Sequence, residues 1–436
     1  MTSSEPSSDH PRSPIRNRNF ALLWSGGLIS DLGDWMLLVA LPVYVFQLTG
    51  SALITSTVFV VELVPALLVG QLGGVLVDRW DRRRILIVSG LLQAALLLPL
   101  LAATTIDRLW IIYIVAAVQS CLARLSAPAK AALIPALVPR DQLTSANSLS
   151  AVSDNLARLV GSPLGGLAIQ MFGLVGVVVV DAVTYLASAF LSAAVRTPSQ
   201  PRAAAAERRS LVADWIDGIR TIRRTPPLSA ILFIGALSQV AQGIFVVLFV
   251  VFVLQELNGT GGDVGLIRGV QAIGGVAGGL AIGFVSRRVS ARGLIGWGFI
   301  AFGAISLVTW NAPLLTTAIG LYVGLFIAVG LPGVATMTGL LTTVQSVTPP
   351  THLGRVFAAF ETGAGALQAV GVLLAGALAD RLGVVPILNA QAGIYILCGV
   401  LALVVLRPAS LPSSGAPARA SPAAASRGRG SRRGTP

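Results

Sequence analysis

Residues 53–104 read LITSTVFVVELVPALLVGQLGGVLVDRWDRRRILIVSGLLQAALLLPLLAAT. Two apolar runs flank a single charged turn, Asp78-Arg79-Trp80-Asp81-Arg82-Arg83-Arg84. Each run is close to the ~20 residues that carry a helix across a bilayer. Lipid satisfies no backbone hydrogen bond, so only helices or closed barrels span it, and these runs are far too long for barrel strands. The apolar character is all-round rather than confined to one stripe, as lipid-facing helices require. The stretch therefore reads as a transmembrane hairpin whose charges mark the turn.

The same reading, carried outward in both directions, gives twelve spans: 20–47, 53–76, 85–104, 110–129, 146–171, 174–195, 228–255, 263–286, 292–310, 313–342, 356–379 and 384–406. Composition agrees. Of 436 residues, 54% are hydrophobic and 11% charged, whereas a soluble domain carries about 25% charged residues. Mean hydropathy is +0.81. An ordinary soluble enzyme, a disordered protein and a fibrous protein are all excluded. The 47 Gly and 24 Pro show no collagen-like period, and both residues are frequent in membrane helices. The first apolar stretch is too long for a signal peptide and lacks a small-residue cleavage site, so it is expected to stay as the first span. Cys121 and Cys398 lie within apolar runs, so no disulfide framework is indicated.

The longest polar stretch between spans, 196–227, divides them six and six. Within it, Leu211, Trp215, Ile216, Ile219 and Ile222 recur at helical spacing, which predicts a short amphipathic helix over 211–224 along the membrane surface. Gly73-Gly74 precedes Arg82-Arg83-Arg84 as Gly278-Gly279 precedes Arg287-Arg288, an offset of about 205 residues. The starts of spans one and seven are separated by nearly the same distance. The expected fold class is thus an all-α membrane protein, with twelve transmembrane helices in two pseudo-symmetric six-helix bundles, 20–195 and 228–406, in parallel orientation. Residues 1–19 form an N-terminal tail. Residues 407–436, rich in Ser, Pro and Ala with Arg427, Arg429, Arg432 and Arg433, form a disordered basic tail.

The net charge of +13 and pI near 11.2 would suit nucleic acid if they stood alone. Position removes that reading. With both termini in the cytoplasm, all but five of the 31 Lys and Arg fall in termini and cytoplasmic loops. Arg124, Arg158 and Arg268 lie in spans, and Arg108 and Arg381 in outer loops. This asymmetry is the positive-inside signal, reinforced by attraction to anionic lipid. No nucleic-acid partner is expected.

After span two, Gly74-Val75-Leu76-Val77-Asp78-Arg79 with the basic cluster Arg82-Arg83-Arg84 resembles the first cytoplasmic hairpin motif of the major facilitator superfamily. Gly74 lets two helices approach closely. Asp78 ends its own helix, where the macrodipole disfavours an anion, and so asks for a partner. The resemblance implies that this partner is the start of span eleven, near Gly354-Arg355-Val356, in a latch that holds the halves together in the outward-facing state. Gly74, Asp78, Arg79, Arg82 and Arg83 would form it. Gly283 stands where a second-half Asp could stand, so the latch is expected on one side only. Gly161-Ser162-Pro163-Leu164-Gly165-Gly166 in span five resembles the Gly-Pro-rich motif of antiporters in the same superfamily. Pro163 removes a backbone hydrogen bond and bends a helix, and the glycines allow close packing.

Further resemblance covers most of 17–406. Asn17-Arg18-Asn19-Phe20, Ser30-Asp31-Leu32-Gly33-Asp34-Trp35, Ala127-Pro128-Ala129-Lys130 with Ala146-Asn147, and Gly218-Ile219-Arg220 with Arg223-Arg224-Thr225-Pro226 are similar to the twelve-span drug exporters, the Tap-type multidrug pumps of actinobacteria above all. A bacterial cytoplasmic membrane location follows from that resemblance.

A charge in the hydrocarbon region costs about 3 kcal/mol or more, so each intramembrane charge asks for a partner or a task. Asp31 and Asp34 lie halfway along span one, three apart and on one helical face. In such a fold span one lines the central cavity, where the pair would serve proton coupling or a cationic substrate. Capping of neighbouring helices or pairing with Arg124 suits them equally. Arg124 resembles the buried arginine of span four in proton-coupled antiporters. Glu62 is either a second protonatable site or a carboxyl bonded to a backbone carbonyl. Asp154 and Arg158, four apart, are expected to form an intrahelical ion pair. Asp181, Arg268, Glu256 and Glu361 are expected nearer the membrane faces. Gln93, Gln119, Gln239, Gln242, Gln271 and Gln368 are polar points in the spans without individual assignment.

The expected function is proton-coupled antiport that exports amphipathic small molecules (drugs, antibiotics or secondary metabolites) by alternating access. Its partners would be a small-molecule substrate, protons and membrane lipids, with the chain monomeric. No phosphate loop, metal-ligand cluster or enzymatic constellation appears, so proton motive force is the expected energy source and no cofactor is implied. A symporter importing a nutrient and a non-transporting membrane sensor are the alternatives.

Overall fold

The computed structural model describes residues 13–196, 211–285, 289–349 and 352–406; the side chains of 66–68, 70–79, 211–214 and 285 are outside the described set. The tail 407–436 is likewise outside it. The described chain is helical, with no strand. Its α-helices are α1 (Arg18–Thr49), α2 (Ala52–Arg79), α3 (Arg82–Leu97), α4 (Leu109–Leu137), α5 (Leu143–Ala194), α6 (Leu211–Arg224), α7 (Pro226–Gln255), α8 (Gly261–Val285), α9 (Ala291–Asn311), α10 (Ile319–Val347), α11 (Leu353–Leu382) and α12 (Val384–Val405). Among the described residues ten helical segments are long and apolar enough to cross a membrane, with 140–194 counted once. The apolar part of α2 that enters this count, Ala52–Pro65, is shorter.

Local signals set the boundaries. Asn17 caps α1 by accepting from the amides of Asn19 and Phe20, and Gly50 ends it in the left-handed region at φ 64°. Asp81, in the charged turn, caps α3 through the Arg84 amide at 2.8 Å. Such caps satisfy backbone donors that a helix start leaves open.

At 52 residues α5 is too long for one crossing. Gly173 breaks it with φ 62° and ψ −164°, a conformation open to glycine. Before the break, α5 runs alongside α1 in the same sense. Trp24 Nε1 donates to the Leu149 carbonyl at 3.2 Å, Gly161 packs on Leu32 and Gly165 on Met36. After it, the sense is opposite. Gly33 packs on Asp181, Gly26 on Ser188 and Leu191, and the Arg196 amide donates to Asn19 Oδ1 at 3.0 Å. The chain therefore reverses direction at Gly173.

Helix packing repeats between the N-terminal and C-terminal parts. α1 packs on both arms of α5, α2 on α4, and α3 on α4 and α5. Correspondingly, α7 packs on α11 and α12, α8 on α10, and α9 on α10 and α12. Across the two parts, α5 meets α8 and α2 meets α11, and these two contacts also exchange under the same correspondence.

The hydrophobic cores are unequal at the two ends. At the end remote from the chain termini, one core runs through both parts, joining Val43, Leu97, Ile112 and Val177 to Phe249, Ile267, Tyr322 and Leu388. At the end near the termini it divides. Phe20, Leu23, Leu133 and Ala146 form one cluster, and Leu228, Ile295, Val356 and Cys398 form another. Glycines report the same asymmetry. Gly166 and Gly265 sit backbone-to-backbone on the opposite helix, and Gly376 packs on Ser56. Nearly four turns further along α8, toward the termini, a Cβ on Gly279 would meet nothing within 4 Å. The molecule is joined at one end and parted at the other.

α6 occupies the span expected for the amphipathic helix and docks against α11, with Gly218 against the Arg355 backbone. Arg355 Nη1 donates to Asp217 Oδ2 at 2.5 Å, and His352 lies 4.0 Å from the same oxygen.

Candidate functional site

A polar cavity of about 400 Å³ lies inside the N-terminal part. Residues of α1, α3, α4 and α5 line it, all between Leu23 and Ser192. Asp31, Asp34, Asp154, Lys130, Tyr185 and Gln93 give it its character.

On α1, the face carrying Gly27, Asp31 and Asp34 turns into this cavity. Lys130 reaches from α4 and donates through Nζ to Asp31 Oδ2 at 2.8 Å. Both side chains keep about a quarter of their surface exposed, 25% for Asp31 and 26% for Lys130, so solvent reaches the pair. Gly27, one turn earlier, makes the reach possible: a Cβ there would lie 2.5 Å from Lys130 Nζ. Asp34 Oδ1 accepts from the Tyr185 hydroxyl on the second arm of α5. One turn before Tyr185, Asp181 is fully buried. It presses against the Cα of Gly33, where any Cβ would collide with its carboxylate. Thr184 Oγ1 donates to Asp181 Oδ1 at 3.1 Å, and Asp181 Oδ2 has no hydrogen-bond partner among the described residues. Three carboxylates, Asp31, Asp34 and Asp154, thus line the cavity with one ammonium.

Several expectations need correcting. The aspartates of α1 face the interior of the N-terminal part, not a cavity between two halves. The cation that meets Asp31 is Lys130, not Arg124, which is exposed and off the cavity wall. The two lie six residues apart, about 240° around a helix, so Arg124 points elsewhere when Lys130 points in. Asp154 and Arg158 do not form an ion pair. Asp154 faces the cavity, whereas Arg158 crosses to α8, donates to Gln271 Oε1, and lies 5.3 Å over the Trp35 ring. Glu62 makes no hydrogen bond or ion pair among the described residues. Asp181 is fully buried within the protein, and Arg268 lies against the Phe245 ring.

The side chains of Gly74, Asp78 and Arg79 lie outside the described residues. Arg82 Nη1 donates to the Ala132 carbonyl at 2.9 Å. Arg83 Nε donates to the Ser192 carbonyl at 3.2 Å, and its Nη2 to Ala193. These arginines tie the charged turn to the ends of α4 and α5. The backbone of α5 stays helical through Pro163. Gly161 and Gly165 there face α1, and Gly166 faces Gly261 of α8, so the motif forms the seam between three helices.

Sequence reasoning missed Lys130, Tyr185 and Thr184 as site residues. Lys130 carried a signal, being the only lysine in a chain of arginines and falling at the end of an apolar run. Tyr185 and Asp181 are one turn apart in span six, a polar pair on one face.

A profile of the family described as transmembrane secretion effector matches residues 9–424. Macrolide efflux protein A of Streptococcus pyogenes is 27% identical over 368 residues, covering 84% of this chain and 90% of that protein. The multidrug efflux pump Tap of Mycolicibacterium fortuitum is 28% identical over 424 residues, covering 91% of this chain and 96% of its own. Among solved structures, a variant of the nucleoside transporter NupG superposes with a TM-score of 0.77 at 11% identity, covering 89% of this chain and 100% of that one. These proteins are transporters, not enzymes. The chain belongs to the transmembrane secretion effector family of major facilitator superfamily transporters.

Proposed function

We propose that the protein is a proton-coupled antiporter that exports amphipathic small molecules across the bacterial cytoplasmic membrane by alternating access. The observation that carries this reading is the excess of carboxylates over cations in the cavity of the N-terminal part. Lys130 compensates Asp31, while Asp34 has only the neutral Tyr185 hydroxyl. A proton bound at Asp34 removes a negative charge beside the Asp31–Lys130 pair and weakens the charge-assisted bond from Tyr185. Proton uptake at one carboxylate thereby alters the contacts of α1 with α4 and α5 together.

The chain is read as twelve crossings in two six-helix bundles, since α5 turns back at Gly173 and α2 adds one. The arginine distribution puts both termini in the cytoplasm. The parted end of the molecule then faces the cytoplasm, from which substrate enters, and the joined core seals the outside. The two efflux pumps among its relatives support export.

Inverted membrane vesicles with an imposed proton gradient test the reading. The wild type should accumulate one or more of a panel of labelled amphipathic drugs, and Asp34→Asn should abolish gradient-driven accumulation while leaving energy-independent exchange. Proton-driven uptake into right-side-out vesicles would instead establish an importing symporter.

A further inference from the structure

Two arginines sit apart from the carboxylate cavity, on the seam between the N-terminal and C-terminal parts. Arg158 of α5 donates to Gln271 Oε1 of α8 and lies 5.3 Å over the Trp35 ring. Its buried Nε has no hydrogen-bond partner among the described residues. Arg268 is three residues before Gln271, on the same face of α8. Its guanidinium lies 4.9 Å from the Phe245 ring centroid and 5.9 Å from that of Phe249. It makes no hydrogen bond and no ion pair among the described residues, and no carboxylate there pairs with Arg158. Both arginines thus reach the same turn of α8, Arg158 through its bond to Gln271.

Their depth is informative. Gly269, beside Arg268, packs on Leu159 and Pro163, beside Arg158. Further along α8, Gly275 and Gly278 pack on α10, and a Cβ on Gly279 would meet nothing within 4 Å. Both side chains are half-buried rather than sealed. They therefore stand at the point where the joined core ends and the parted region begins.

Holding a charge at this depth is costly, and two like charges more so. Aromatic faces attract a cation but do not neutralise it. Among the described residues no carboxylate neutralises either guanidinium, which leaves room for an anion from outside the chain. A guanidinium presents a planar fork matched to carboxylate, sulfonate or phosphate, and the part-exposed Trp35 offers aromatic surface beside it.

We propose that Arg158 and Arg268 bind the acid group of an amphipathic organic anion, the substrate class that the protein exports, with the part-exposed Trp35 against its apolar body. The assignment rests on the exporter reading above for its transport meaning. The site itself is defined by binding alone.

The test uses the purified full-length protein in lipid nanodiscs without a gradient, and follows the fluorescence anisotropy of carboxyfluorescein, with rhodamine 6G as a cationic counterpart. The wild type should bind carboxyfluorescein. Arg268→Gln and Arg158→Gln should each weaken that binding by about tenfold or more, Arg268→Lys should weaken it less, and rhodamine 6G should be unaffected. Unaltered carboxyfluorescein binding by Arg268→Gln, or a wild type that prefers rhodamine 6G, would overturn the proposal. The wild type alone gives a second readout: 1-naphthaleneacetic acid should displace the dye, and its methyl ester should not. Equal displacement by the ester would also overturn it. So would displacement by chloride or inorganic phosphate at the same concentration as the acid, or loss of dye binding in phosphatidylglycerol relative to phosphatidylcholine discs, since either identifies a different counter-ion. Without ligand, Arg268→Gln should melt no lower than the wild type, because a desolvated charge is removed; a lower midpoint would assign Arg268 a structural role. Arg124→Gln, on an exposed face away from both sites, should bind carboxyfluorescein normally. A wild type without gradient-driven transport but with anion binding would count against the exporter reading only, and gradient-driven transport without anion binding against this one only.

Discussion

At the scale of single residues, the N-terminal cavity depends on a glycine as much as on its charges. Gly27 leaves room for the ammonium of Lys130 beside Asp31. In Gly27→Ala the methyl group displaces that ammonium, so the variant should resemble Lys130→Met in gradient-driven export, with about a tenfold loss. The two changes break one contact, so the double variant should be little worse than either single one. Additive losses would show that Gly27 acts elsewhere. Tyr185→Phe removes the donor to Asp34 and should lower thermal stability by about 1–3 kcal/mol, the range for orphaning a buried acceptor, as measured by unfolding of the purified protein. No change would mean that water replaces the hydroxyl. The sequence displayed Asp31 and Asp34 plainly, because a carboxylate in an apolar run is conspicuous. Their partners were hidden by distance along the chain: Lys130 is 99 residues from Asp31 and Tyr185 is 151 from Asp34. Helical spacing supplies only neighbours three or four apart. It therefore favoured an Asp154–Arg158 pair over the bond that Arg158 makes to Gln271, 113 residues away.

At the scale of elements, the glycines divide by what they join. Gly166 and Gly265 let α5 and α8 touch across the two parts, whereas Gly243 lets α7 and α11 touch within one. Enlarging them should have different effects. Gly166→Leu wedges a moving seam, so it should separate the joined end and impair export with little loss of melting temperature. Spin-label distances between α5 and α8 at the end remote from the termini should lengthen. Gly243→Leu overpacks a static contact and should lower the melting temperature, at a cost of about 1–3 kcal/mol or more. Equal melting losses in both would remove the distinction. The helices themselves were legible because twenty apolar residues admit few alternatives in lipid. The break at Gly173 fell between the runs 146–171 and 174–195 for the same reason. What hydropathy could not show was that α5 remains helical on both sides of a single residue, or that α6 binds α11 through Asp217 and Arg355. Both depend on contacts rather than on composition.

At the scale of the whole molecule, one core at one end and separate clusters at the other describe a carrier caught in one limb of its cycle. Cysteine accessibility tests this directly. Gly279→Cys, on the parted side, should react quickly with a water-soluble maleimide. Ser56→Cys, fully buried against Gly376 in the joined region, should not react. The opposite pattern would reverse the assignment of the open end. No reading of the sequence could supply this state, since both limbs of a cycle use the same spans and the same pattern of arginines. The division of the core has a further meaning in terms of water. A gap between two apolar clusters is a filled volume, and closing it returns that water to the bulk. A solute too large to enter the gap is excluded from it and favours the smaller hydrated volume. The transporter should thus respond to osmotic pressure: high-molecular-weight polymer on the side of the termini should slow maleimide labelling of Gly279→Cys, and dilution should restore it.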